Sequence, residues 1–379
     1  MEEFRTPNIP TLSVNECINT LSLLYGNVIN KGLSLKSIPT PFLWGAVGVG
    51  KSQGVRQLAQ LLSETTGRRT VVTDVRLLLF NPVDLRGIPV ANADKSLAVW
   101  LKPSIFNMDE SDDCLNILFL DELSAAVQSV QAAAYQICLD RTVGEHRLPD
   151  NCIVIAAGNR TTDRSVSFKM PRALCNRLMH FNIKSDFYEW RSWALENGID
   201  GRIIGFLEFD HSRYTADDTD DNSISDGRLC QHPDASELAF ATPRSWEFVN
   251  NILKAVDRPV NEIHSLIAAA IGGDVALDFE NWCSMMGELP KVEDILNGVC
   301  TVYPKRHDIL YTLVASLGSA LISRAENVSI SELENACRYA NRFPKDFVEA
   351  FYSDLNSSKK LRLKMMKSKL TYEAGRIIR

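Results

Sequence analysis

The chain has 379 residues, 45% of them hydrophobic and 23% charged, with 41 Lys and Arg against 47 Asp and Glu. That balance describes a globular protein able to bury a substantial core, in about two or three domains. Its net charge of −6 excludes a surface that is basic throughout, as a whole-surface nucleic-acid footprint requires, although a local basic patch remains compatible with it. No apolar run approaches the roughly 18 residues needed to cross a bilayer, and the start MEEFRTPNIP is unlike a signal peptide, so a cytoplasmic location is expected. The nine cysteines are an odd number and widely spaced, which predicts reduced, buried thiols. Among the cysteines and histidines only Cys230 and His232 lie close together, and no structural metal site is expected.

Along the chain, residues 13–32 carry apolar side chains at helical spacing behind Ser13, a suitable N-cap, and predict a helix. Buried parallel strands are expected at Pro41–Gly45, Thr70–Val75, Asn116–Asp121, Cys152–Ala157 and Leu178–Ile183. Between them, Ser52–Thr65 and Ser124–Leu139 have the i, i+3, i+4 pattern of helices. The alternation predicts an α/β fold with a doubly wound parallel sheet of five strands, whose functional edge is at the C-terminal strand ends. From about residue 186 the pattern is helical without clear strands, and a smaller all-helical domain is expected over 186–330. A polar, acidic loop is expected near 210–227, and a helical extension with a basic tail over 331–379.

The stretch Gly45, Ala46, Val47, Gly48, Val49, Gly50, Lys51 and Ser52 follows the first strand and precedes a helix, and it satisfies GxxxxGK[ST]. Backbone N–H groups of such a loop turn around phosphate oxygens at the positive end of the helix. Lys51 then neutralises phosphate charge and Ser52 ligates Mg²⁺. The run ILFLDEL delivers Asp121, which would hold the metal, and Glu122, which would polarise an attacking water as general base. At the end of IVIAAGN, Asn159 is placed to orient that water or sense the terminal phosphate.

A GTPase would carry an NKxD-type base reader, and NRTTD at Asn159 does not fit one. An ABC-type LSGGQ signature is also missing. The acid pair at a strand end favours a hydrolase over a small-molecule kinase. In order along the chain, GAVGVGKS, NPVDLRGIPV, LFLDEL, LDRTVGEHRLPDNCIVIAAGN, MPRALCNRLMHF and ATPRSWEFV resemble a MoxR-type AAA+ ATPase over about residues 40–250. The resemblance implies a P-loop (AAA+) sheet followed by a helical lid, with ATP and Mg²⁺ as cofactors. It places Asn159 at the sensor 1 position and Arg244 at sensor 2. An arginine acting in trans is carried by MPRALCNRL, with Arg177 matching best and Arg172 second. Implied partners are further copies of the chain in a ring, commonly a hexamer, and a client protein, often one with a von Willebrand factor type A domain, activated or remodelled in a chaperone-like way.

The same resemblance makes the insertion near Leu79 and Phe80, and the hairpin residues Val143 to Arg147 with Gly144 at the tip, candidates for client contact. Basic residues dominate from Lys359 to Arg379, interleaved with Leu361, Leu363, Met365, Met366 and Leu370, an amphipathic pattern open to nucleic acid, a membrane surface or an acidic partner. Charge complementarity also allows pairing of this tail with Asp217–Asp221. The tryptophans Trp190, Trp193 and Trp246 read as packing within the helical domain. Alternatives to the remodelling ATPase are a nucleic-acid-directed motor and a nucleotide-gated switch with little turnover.

Overall fold

Ser13 caps the first helix as expected. Its side chain accepts from the backbone N–H of Glu16 while the Glu16 carboxylate accepts from the Ser13 N–H, satisfying two orphan donors at once. The computed structural model describes residues 9–160, 170, 172–217, 227–231, 237–285 and 289–368. Chain contacts divide it into two units, Met1–Ser185 and Asp186–Arg379.

The first unit runs β1 (Thr11–Leu12), α1 (Val14–Asn30), β2 (Thr40–Trp44), α2 (Lys51–Thr66), β3 (Arg69–Arg76), α3 (Pro82–Arg86), β4 (Ile88–Ala91), β5 (Ala98–Leu101) and β6 (Cys114–Asp121). It continues with α4 (Gln128–Asp140), β7 (Thr142–Val143), β8 (His146–Arg147), β9 (Cys152–Gly158), α5 (Arg172–Cys175) and β10 (Leu178–Ile183). Its parallel sheet has the order β1-β10-β2-β9-β6-β3. Strand alternation sends Phe42, Leu118, Leu120, Val154 and Ala156 into one core with α4, while Leu43 faces α1 and α2 on the other side. The sheet is therefore covered on both faces, and its strands read as nearly continuous apolar runs for that reason. There are six strands rather than the expected five. The sixth, Thr11–Leu12, pairs with Asn182 and Ile183 and is too short to leave a period in the sequence.

Two further corrections concern local detail. The helix expected from Ser124 starts at Gln128, because residues 122–125 form turns and Val127, with ψ 148°, is extended and caps the helix. The insertion after β3 is both a helix, α3, and an antiparallel hairpin, β4–β5, with Ile88, Val99 and Leu101 exposed. RTVGEHRLPD does form a hairpin with Gly144 between its strands, but Val143 is 1% exposed and points into the core beside α4, so it is not open to a client. Glu145 and Arg147 are exposed, Leu79 is exposed, and Phe80 packs against the core.

The second unit is all helical: α6 (Phe187–Glu196), α7 (Gly201–Asp217), α8 (Pro243–Ala255), α9 (His264–Ile271), α10 (Gly273–Met285), α11 (Val292–Leu296), α12 (His307–Ser323), α13 (Ile330–Ala340), α14 (Lys345–Ser357) and α15 (Lys359–Ser368). Helix α12, apolar nearly all round, is packed by α6, α7 and α14. One hydrophobic core runs through the unit from Phe187 to Met365 and takes in Trp190, Trp246 and, at its margin, Trp193. Residues 210–217 of the expected acidic loop are helical instead. Asp210 is buried there because its carboxylate accepts from the Arg228 backbone N–H and pairs with the Arg228 guanidinium. The rest of that loop, 218–226, and the tail from 369 onward lie outside the described residues, and with them most of the expected loop–tail pairing.

The fold class is thus the one expected of an AAA+ chain: a doubly wound parallel P-loop sheet followed by an all-helical unit. No helix among the described residues is long and apolar enough to cross a membrane. All nine cysteines are free thiols, six of them buried.

Candidate functional site

Three neighbouring strands, β2, β9 and β6, end on the same edge of the sheet, and each delivers polar residues there. From β2 the chain enters the loop Gly45–Gly50 and then α2. Gly48 (φ 82°) and Gly50 (φ 100°) hold left-handed conformations that turn the loop around the start of α2, where a side chain would be strained. Behind them the N–H groups at the start of α2 and the positive end of that helix make an anion site.

Lys51 folds back over this loop. Its ammonium donates to the carbonyls of Gly45 (2.6 Å) and Ala46 (2.9 Å) and to Asn159 Oδ1 (3.1 Å). The hydroxyl of Ser52 donates to Asp121 Oδ2 at 2.7 Å. Asp121 Oδ1 in turn accepts the Glu122 backbone N–H at 2.9 Å. Asp121 and Glu122 stand seven and six residues ahead of α4, so they do not cap that helix. Glu122 keeps its left-handed backbone, an uncommon conformation for a glutamate and one that clusters at functional sites. The structure therefore brings together two hydrogen-bonded pairs, Lys51 with Asn159 and Ser52 with Asp121, at the start of α2, with Glu122 next in chain.

Two contributors escaped the sequence reading. Ser124 Oγ accepts from the Asn159 backbone N–H (2.9 Å) and donates to its carbonyl (3.0 Å), fixing Asn159 against the turn that carries Glu122. Gly158 permits this, since a Cβ there would lie 2.6 Å from Ser124 Oγ. The available signal was a small hydroxyl residue after LDEL facing the glycine of AAGN. The second is Asp74, near the end of β3, whose carboxyl is raised above the usual range by burial and by the neighbouring charge of Asp121. Arg56 of α2 pairs with it at 3.6 Å. A carboxylate interrupting the apolar run VVTDV was its only mark.

The predicted arginines are not in this cluster. Arg172, on α5, and Arg177, just beyond it, are both exposed in the first unit. Arg244 is exposed on the first turn of α8 in the second unit, behind the Thr242 cap. Val47 is the exposed residue of the loop, whereas Val49 is buried.

For Mg²⁺, the donor set fits. The Ser52 hydroxyl and the Asp121 carboxylate converge at 2.7 Å beside the helix start, and hard oxygens with room for water are what this ion takes. Ser52 and Asp121 would hold it, and Lys51 with the loop N–H groups would hold phosphates.

No protein-family model and no curated protein matches the chain. Solved structures similar to it include ORC2 of Aeropyrum pernix in ADPNP–ADP complexes, at 12% identity over 93% of this chain and 88% of that one, with a TM-score of 0.42. A mutant of RuvB from Thermotoga maritima is 14% identical over 85% and 89%, with a TM-score of 0.36. PCH-2 of C. elegans is 16% identical over 72% and 68%, with a TM-score of 0.34. Similarity this low says nothing of which reaction the chain performs; the geometry has to.

Proposed function

We propose that the protein is a ring-forming ATP hydrolase of the MoxR AAA+ type that couples hydrolysis to chaperone-like remodelling or activation of a partner protein. The observation that carries this reading is the pair of hydrogen bonds, Lys51 to Asn159 and Ser52 to Asp121, side by side at the start of α2. Bound Mg²⁺ would draw charge from the terminal phosphate. Lys51 leaves the loop carbonyls to neutralise phosphate oxygens, Glu122 takes a proton from water, and Asn159 orients that water. Charge developing on the transferred group calls for a guanidinium, supplied by Arg177 or Arg172 of a neighbouring copy, with Arg244 reaching the same phosphate from its own chain. The ring is hexameric in this reading, its client carries a von Willebrand factor type A domain, and it works in the cytoplasm.

The nucleic-acid reading loses support from α15. Leu361 and Met365 are buried in the core, Lys360 pairs with Glu326, and Lys364 donates to the carbonyls of Glu326 and Val328. This part of the basic stretch is occupied by its own fold.

The test compares nucleotide binding with turnover. Lys51→Ala is expected to lose binding, while Glu122→Gln keeps binding and loses about 10²–10⁴ in kcat. Turnover unchanged in Glu122→Gln would favour the nucleotide-gated switch instead. Mixing Lys51→Ala with Arg177→Ala subunits is expected to restore activity in mixed assemblies, each supplying what the other lacks.

A further inference from the structure

We infer that His180 is a positioning residue that ties the arginine-bearing turn of residues 172–177 to the strand leading into the phosphate loop. This rests on the reading that an arginine of that turn completes a neighbour's site.

Trp44 is the last residue of β2 and immediately precedes Gly45. Its indole N–H can only donate, and it donates to His180 Nδ1 at 2.9 Å. Nδ1 therefore carries no proton, and the proton of the neutral ring is on Nε2. That nitrogen is 2.8 Å from the Cys175 carbonyl, to which it donates. Cys175 ends α5, three residues after Arg172 and two before Arg177. A helix of a single turn has terminal carbonyls without internal partners and too few bonds to hold itself. His180 supplies one such carbonyl with a donor from the rigid sheet.

The ring itself is held. Its centroid lies 6.0 Å from that of Phe42 and 6.1 Å from that of Trp44, and it is inclined 26° to the indole. His180 faces Phe42 across the β10–β2 register, so both partners of the Trp44–His180 bond are anchored in adjacent strands. The sequence from loop to arginine is thus Gly45, Trp44, His180, Cys175, with a hydrogen bond at each non-covalent step. A neutral imidazole is suited to this place because it accepts on one side and donates on the other across a rigid ring. Phenylalanine keeps the packing and loses both bonds.

The experiment uses the full-length protein. His180→Phe is expected to lower kcat for ATP hydrolysis about 10- to 100-fold, the scale of a misplacement near 1 Å, with little change in KM. Combined with Arg177→Ala or Arg172→Ala, whichever alone slows turnover, it is expected to add nothing. In mixed assemblies His180→Phe subunits regain activity with Lys51→Ala subunits but not with the arginine variant. Raised KM at unchanged kcat, additive losses in the double variant, or recovery with the arginine variant would overturn the inference. If His180→Phe does not fold, Trp44→Phe removes only the donor to Nδ1. It is expected to give a smaller loss of kcat in the same complementation class, and full activity there overturns the inference. Should neither arginine variant slow turnover, the trans-arginine reading fails and takes this inference with it. If an arginine variant is slow and His180→Phe is not, the inference fails alone.

Discussion

At the strand ends of the first unit, Lys51, Ser52, Asp121 and Asn159 are half-buried and joined by single hydrogen bonds. In the second unit, Arg191 is 8% exposed and grips buried Asp354 with both terminal nitrogens, one of these bonds being 2.9 Å, while its Nε lies 3.0 Å from Glu208. Similar side chains serve opposite ends. Water still reaches the first group, so a ligand can replace its internal bonds at small cost. The second group joins α6, α7 and α14 with Arg191 and Asp354 buried, and an unpaired charge there is expensive.

The largest expected effect tests the buried half of that contrast. Arg191→Ala leaves two carboxylates without their cation and is expected to lower unfolding free energy by about 3–5 kcal/mol, read from denaturant midpoints. Lys51→Ala, measured without nucleotide, is expected to move the midpoint far less. If Arg191→Ala costs under about 1 kcal/mol, the triad behaves like a surface pair and the contrast fails.

Two glycines, Gly158 beside the site and Gly205 in the helical core, distinguish the site from packing. In Gly158→Ala the new Cβ lies 2.6 Å from Ser124 Oγ and 3.0 Å from Phe42 Cζ, so Ser124 must give up its hold on Asn159. A cost of about 1–3 kcal/mol is expected, accompanied by slower turnover. Gly205→Ala brings its Cβ 2.6 Å from Thr312 Cα, forcing α7 and α12 apart. That variant is expected to lose stability while its folded fraction turns over normally. Equal turnover losses in the two would mean that packing, not the Ser124 clamp, governs the site.

The contrast also explains what the sequence discloses. The positions of Lys51, Ser52, Asp121 and Asn159 were legible because each lies at the end of an apolar strand or shortly after it, Lys51 and Ser52 behind a glycine loop and Asp121 in an acid pair. Ser124 and His180 act through partners 35 and 136 residues away, and local spacing carries no trace of that. Arg191 and Asp354 are 163 residues apart, so each looks like an ordinary charged residue on a helix. The two-residue strand β1 and the late start of α4 were hidden for a different reason. One is too short to repeat, and the other depends on the extended backbone of Val127.

Proton linkage provides the finest test of how the second unit holds charge. Burial raises the carboxyls of both Glu208 and Asp354, against the opposing pull of Arg191. A carboxyl raised in the folded state binds its proton more tightly there than in the unfolded chain. Its contribution is full below the unfolded value, about 4.3 for glutamate, and is lost as pH rises through the folded value. Glu208→Gln fixes that side chain as neutral at every pH. The stability of wild type relative to this variant is therefore expected to decline as pH rises above about 4 in paired denaturant titrations. A relative stability that grows with pH would mean that attraction to Arg191 exceeds the cost of burial at Glu208. The triad would then be a net ion pair, and its loss in Arg191→Ala would come chiefly from broken attraction rather than from stranded carboxylates.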